Sequence, residues 1–178
     1  MKKYFLLLFV AFFSFCVNDV DFEQANDFVL EPVFTSSLVS FTVFPINFFD
    51  STGTIQQNSI TDVSQFRAFD NSFFRDNVIQ LDFNVEAKNE FDRKVTITID
   101  LLDADNNLTY ELTPIEVESG NLDYSFQEMV VISENPLIVN TLKVRIKAEL
   151  ESSTTALDLT DRSEFEFKSA FTAYIVTN

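Results

Sequence analysis

Three groups of residues in this 178-residue chain have the make-up to do chemistry. The first is Cys16, the only thiol, which follows an uncharged apolar run from Tyr4 to Phe13 behind Lys2 and Lys3. The second is Asp103, Asp105 and Asn107, on the alternate positions that open an oxygen-rich calcium loop. Calcium takes about six to eight oxygen ligands, and such a turn would supply some of them. Here the sixth position is Leu108, where Gly belongs, and the twelfth is Pro114, where a bidentate Glu belongs. A plain turn between strands, where Asp and Asn are favoured anyway, is therefore the expected reading, with calcium as the weak candidate. The third group is carboxylate pairs, Asp82 with Glu86 and Asp158 with Asp161, which have the residue type of a glycosidase acid and base. Neither pair is marked as buried.

Composition removes most partners for these groups. The chain has no histidine, which excludes Ser-His-Asp and Cys-His nucleophile pairs and the commonest zinc ligand. One cysteine allows no intramolecular disulfide. Two glycines and four prolines leave no Gly-rich phosphate cradle. The expectation is a non-catalytic protein with no cofactor. The net charge is −16. Without Lys2 and Lys3 the basic residues fall from 12 to 10 against 28 acidic ones, a net charge of −18. Nucleic acid is excluded as a partner, because binding it depends on Lys and Arg displacing counterions from phosphates. With no Trp and 22 Phe, phenylalanine must fill the core. Phe48, Phe49, Phe73, Phe74 and Phe91 fall near expected strand ends. They either cap that core, the expected reading, or form an exposed patch for a partner or glycan.

Any such site must be positioned by strands. From Val78 to Lys88, apolar Ile79, Leu81, Phe83, Val85 and Ala87 alternate with polar residues, which predicts one core face and one wet face. Val95, Ile97, Ile99 and Leu101 repeat the pattern, followed by Leu108, Tyr110 and Leu112. Short connections between these three predict an antiparallel meander. Leu142 to Leu150 alternates against Lys143, Arg145, Lys147 and Glu149, a basic stripe expected to balance acids across the sheet. Phe165, Phe167, Phe171, Ala173 and Ile175 share one face of the last strand. Weaker segments are Phe28–Phe34, Leu38–Phe49 with a face switch at Pro45, Ser59–Phe66, a turn over Phe69–Asn77, and Leu122–Ile132 with a bulge near Glu128. No stretch keeps a helical period. About eight short strands predict an all-β, antiparallel two-sheet sandwich, immunoglobulin-like in topology, with a jelly roll or small barrel as the alternative.

The N-terminus supplies the address. The apolar run is shorter than the roughly 20 residues a spanning helix needs, and it fits a signal-peptide core. Phe13-Ser14-Phe15-Cys16 resembles the lipobox of bacterial lipoproteins, and Met1 to Glu23 resembles the opening of small lipoproteins of Bacteroidota, flavobacterial in type. The resemblance implies cleavage before Cys16, a lipid on its sulfur, and attachment at the outer membrane. It also implies that Asp50-Ser51-Thr52 is similar to an O-glycosylation acceptor with Ser51 as the site; a plain turn is the other reading. Asp19, Asp21 and Glu23 resemble a surface-export signal or are a solvated tether. The bulky Phe15 leaves open cleavage after Cys16 and a soluble exported protein. The expected organisation is a signal peptide over 1–15, an acidic tether over 16–27 and one sandwich domain over 28–178. The expected partners are the membrane, through the anchor, and another envelope protein or a glycan.

Overall fold

The computed structural model describes residues 31–54 and 56–177. The signal peptide, Cys16 and the acidic tether lie outside the described residues, as does the start of the Phe28–Phe34 segment. Glu31–Asn178 is a compact unit in its own right. Nine strands build it: β1 (Val33–Val43), β2 (Ser59–Gln65), β3 (Val78–Asn89), β4 (Val95–Leu102), β5 (Leu108–Glu111), β6 (Ile115–Val117), β7 (Tyr124–Val131), β8 (Lys143–Leu150) and β9 (Phe165–Ile175). One six-residue helix, α1 (Ser72–Asn77), precedes β3. Among the described residues no helix is long and apolar enough to cross a membrane.

The strands form two antiparallel sheets with their apolar faces together. Sheet 1 has the order β1-β9-β3-β7; sheet 2 has β2-β8-β4-β5, with β6 also on β4. The expected two-sheet sandwich is what forms. Within it, the chain pairs like one long hairpin: β4 with β5 and β6, β3 with β7, β2 with β8, β1 with β9. Such nesting is the jelly-roll arrangement, the alternative topology, whereas an immunoglobulin-like fold pairs its first strand with its second. The long strands run between two poles. The near pole holds Val33, Val78, Leu102 and Ile175; the far pole holds Val43, Asn89, Val95 and Phe165.

The core follows from alternation. Phe165, Phe167, Phe171, Ala173 and Ile175 are all buried, as are Val95, Ile97, Ile99 and Leu101, and Val144, Ile146, Ala148 and Leu150. Each buried Phe or Leu side chain contributes about 1.5–3 kcal/mol of hydrophobic stabilisation. Ser169 takes the remaining inward position of β9. Its hydroxyl accepts from the Val39 N–H (3.1 Å) and donates to the Val39 carbonyl (3.0 Å), where β1 carries an extra residue, Leu38. A serine among phenylalanines thus satisfies a bulge that bends an edge strand.

Four expectations need correction. β3 and β4 lie in different sheets, so Glu90–Lys94 is a corner that crosses the sandwich and the predicted meander does not exist. A register shift between Val78 and Gln80 turns Val78 inward and leaves Ile79 exposed. β7 runs through Glu128 without a bulge. Glu128 holds an inward-phase position because it has partners there: Tyr110 donates its hydroxyl (2.6 Å) and the Thr113 N–H donates to the other oxygen (2.8 Å). After Val43 the chain leaves the sheet in a 3-10 turn, Pro45–Phe48, so Phe44 and Ile46 are exposed while Phe48 is buried.

Candidate functional site

The far-pole corner is organised by one polar side chain. Asn89, fully buried, donates Nδ2 towards the carbonyls of Arg93 (3.0 Å), Val117 (3.0 Å) and Glu118 (3.1 Å). Its Oδ1 accepts from the Phe91 N–H (3.0 Å), and its own N–H donates to the Asn121 carbonyl (2.7 Å). One amide therefore ties the corner to the β6–β7 loop. Phe91 plugs the core beside it, edge-on to Phe48 at 6.1 Å. Alternation cannot reveal Asn89, since a polar residue after ten alternating ones reads as the start of a turn.

The calcium candidate is a turn that carries its own cation. The Asp103 carboxylate accepts from the N–H groups of Asp105 and Asn107 (both 2.8 Å) and from Asn107 Nδ2 (2.9 Å). Lys143 from β8 donates to the Ala104 carbonyl (2.9 Å) and to Asn106 Oδ1 (2.7 Å). Asn106 sits at φ 66°, a left-handed conformation that asparagine tolerates. Hydrogen bonds from Asn107 hold the Asp103 carboxyl below its usual range, with Lys143 adding to the effect. Among the described residues no group of three or more Cys, Asp or Glu converges as metal ligands.

The carboxylate pairs have separate fates. Asp82 is buried on the outer face of sheet 1, accepting from Gln80 Nε2 (2.7 Å) and the Tyr174 hydroxyl (3.1 Å), while Glu86 is exposed on the same face. Asp158 and Asp161 each cap their own loop, taking Thr160 and Ser163 respectively through backbone and hydroxyl. Those bonds lower both carboxyls. Ser51 is exposed on the Asp50–Gly53 turn, where the Asp50 carboxylate accepts from the Thr52 hydroxyl and the Thr54 N–H (both 2.9 Å). Of the five phenylalanines, Phe48, Phe74 and Phe91 are buried, Phe49 is half-buried and Phe73 is exposed, so they do not form one patch. In the basic stripe, Arg145 pairs with Asp100 across the sheet (2.6 Å), as expected; Lys147 pairs with Glu149 on its own strand.

Two hollows among the described residues lie against the sheets. A cleft of ≈ 240 Å³ opens where β1 and β2, each an edge strand, face one another; Val39, Phe41, Val43, Ile60, Ile146 and Ala148 wall it and Ser40, Thr61 and Asp62 form its rim. The Phe41 ring stacks on Phe167 at 5.2 Å, so the floor is core. The outer face of sheet 1 is the polar counterpart. A hollow of ≈ 400 Å³ there is lined by Thr35, Ser36, Ser37, Ser40, Asn84, Glu86 and Lys168 among others. Further along, Lys88 is held by Glu90 (2.8 Å), Glu164 (3.3 Å) and Glu166 (3.7 Å). Its hydrogen bond to Glu90, then that to Glu164, keeps the ammonium protonated well above the usual range. Neither surface has a signature in the sequence: the cleft pairs strands about 20 residues apart in the chain and the hollow joins β1, β3 and β9.

No family model and no curated protein matches the chain. Several solved structures are similar. A candidate secreted protein from Parabacteroides distasonis aligns at TM-score 0.49 and 12% identity, over 65% of this chain and 38% of that one. The VP2 subviral particle of infectious bursal disease virus aligns at TM-score 0.43 and 12% identity, over 82% and 32% respectively. The enzymatically active domain of bacteriophage CBA120 tailspike protein 4 aligns at TM-score 0.40 and 13% identity, over 83% and 18%. The chain spans well under half the length of each, and at these scores none bears on what it does.

Proposed function

We propose that this protein is a lipid-anchored module of the bacterial cell envelope, held at the outer membrane, that binds or braces a partner and catalyses nothing. The observation that carries the reading is the order of the chain: Lys2-Lys3, an apolar run, a single cysteine, an acidic stretch, then one autonomous sandwich from Glu31. In that order Cys16 is the anchor, residues 17–30 are the spacer and the sandwich is the cargo. The chemistry of the folded part supports the same reading. Of the carboxylates with the residue type of a glycosidase, Asp82, Asp158 and Asp161 are tied into turns or sheet contacts, and Lys143 occupies the turn that calcium would have used.

Mass spectrometry of the N-terminal peptide from isolated membranes tests the anchor. The expected species begins at Cys16 and carries acyl mass on it, and Cys16→Ser moves the protein out of the membrane fraction. A mature chain that begins after Cys16, or carries an unmodified thiol, sinks the anchored reading and leaves a soluble exported sandwich.

A glycan is the second reading for the partner, and the polar hollow on sheet 1 favours it. Hydroxyls, an amide, a carboxylate and an ammonium side by side are the groups that hydrogen-bond sugar hydroxyls. Stacking on Phe48 is not available, because that ring is fully buried. Glycan-array binding that Asn84→Ala and Lys168→Ala abolish would support this partner; silence on every glycan would remove it.

A further inference from the structure

We propose that the near pole of the sandwich rests on the surface of the bilayer, inserting Phe73 and Leu137 among the lipid headgroups. The proposal rests on the anchored reading above, and it adds which end of the cargo meets the membrane.

The chain arrives at this pole. The Pro32 carbonyl accepts from the Ile175 N–H (3.1 Å), and β1 begins at Val33 beside the end of β9. A tether from an anchored Cys16 therefore joins the sandwich at the near pole. The pole is also where apolar side chains stand in water on the sheet 1 side: Val33 59%, Phe34 51%, Phe73 52%, Ile79 49% and Leu137 61% exposed. They sit on elements that are packed and hydrogen-bonded. Phe34 packs at 6.4 Å from both Phe74 and Phe171, and α1, which carries Phe73, is capped by the Asn71 side chain on the Phe74 N–H (3.2 Å). Leu137 belongs to the 3-10 turn Pro136–Asn140 that follows β7, and the Ile79 carbonyl takes the Ile132 N–H from the end of β7 (3.0 Å).

The far pole is the poorer match. It exposes fewer apolar side chains, Phe44, Ile46, Leu122 and Leu159, on loops that also carry Glu90, Asp92, Glu118, Asp158 and Asp161, and it lies a full strand length from where the chain arrives. Asp70, Asp76, Asp103, Asp105 and Glu134 stand at the near pole as well, with Arg67, Arg75 and Lys143 at the same end, so charge does not separate the poles and zwitterionic lipid is the matching surface. An apolar tip needs to sink only about 5–10 Å to reach the acyl boundary. Tethering makes that contact intramolecular, at an effective concentration on the order of millimolar, so a weak patch suffices.

The chain has no Trp, so one introduced Trp is a reporter without background. Full-length protein carrying Phe73→Trp, Leu137→Trp or, at the far pole, Leu122→Trp is processed in cells, purified and placed in phosphatidylcholine vesicles brominated on the acyl chains. Mass spectrometry of the same samples reads the lipid on Cys16. The expected result is acylated protein in which Phe73→Trp and Leu137→Trp lose most of their emission to bromine while Leu122→Trp keeps it. Acylated protein with all three unquenched overturns the docking and leaves the anchor standing. Equal quenching at both poles also overturns it. Protein without lipid on Cys16 overturns the anchored reading, and the docking falls with it.

Discussion

Two short connections follow two equally regular strands, and they do opposite things. Glu90–Lys94 after β3 and Asp103–Asn107 after β4 are both short and mostly polar. The second is a hairpin turn within sheet 2. The first carries the chain from one sheet to the other. What separates them is where their polar atoms end. The corner buries Asn89, which spends its amide on three backbone carbonyls and one N–H, and it drives Phe91 into the core. The turn keeps its carboxylate in water and closes with local bonds and Lys143. A chain can reverse with cheap exposed bonds, but to cross a sandwich it must satisfy a buried backbone.

The contrast breaks most visibly at Asn89. Asn89→Ala leaves several buried carbonyls and an N–H without partners, at about 1–3 kcal/mol each, so a loss on the order of 5 kcal/mol is expected. That is a large part of the roughly 5–15 kcal/mol that holds a domain together. Urea unfolding measures it. A loss below about 1 kcal/mol would mean that the network does not hold the corner.

Phe91→Ala asks whether the corner also depends on its plug. Removing a fully buried Phe costs about 3–5 kcal/mol, through lost transfer energy and the cavity left between Phe48 and Phe165. The expected midpoint shift is slightly smaller than for Asn89→Ala. Because the two residues share the Asn89–Phe91 hydrogen bond, the double variant should lose less than the two single losses added together. Full additivity would show the plug and the network to be independent.

The same contrast explains what was legible in the sequence. Strand faces were, wherever the inward residues are apolar: β8 follows its alternation to the residue, β4 does as far as Leu101, β9 does with Ser169 as its one polar inward residue, and so does most of β3. Ile79 was not, because a register shift at the start of a strand leaves no mark in composition. Glu128 was misread for a related reason. A carboxylate in an inward phase looks like a broken strand unless its partners, Tyr110 and the Thr113 N–H, are known, and they come from the opposite sheet. Burial and that bond to Glu128 push the Tyr110 hydroxyl well above its usual range, a cost that only the folded arrangement reveals. Topology was the least legible feature. A corner and a hairpin have the same local chemistry, so the meander was the natural reading and the jelly roll was not. Among the site residues, the turn at Asp103 was read correctly as a turn, while Lys143 as its cation could be seen only once β8 lay beside β4.

The turn provides the smallest effect and the cleanest test of the cheap half of the contrast. The carboxyl of Asp103 is depressed in the folded protein, chiefly by hydrogen bonds from Asn107. A depressed carboxyl stabilises the fold fully above its unfolded value, near about pH 3.9, and that contribution fades as pH falls through the lower folded value. The urea midpoints of the native chain and Asp103→Ala should therefore differ slightly and constantly from neutral pH down to about pH 4, then converge as the solution is made more acid. Salt should shrink the part due to Lys143, since the pair stands in water. If Asp103→Ala instead unfolds the chain, or the gap widens in acid, the turn is not held by exposed local bonds, and its difference from the Asn89 corner disappears.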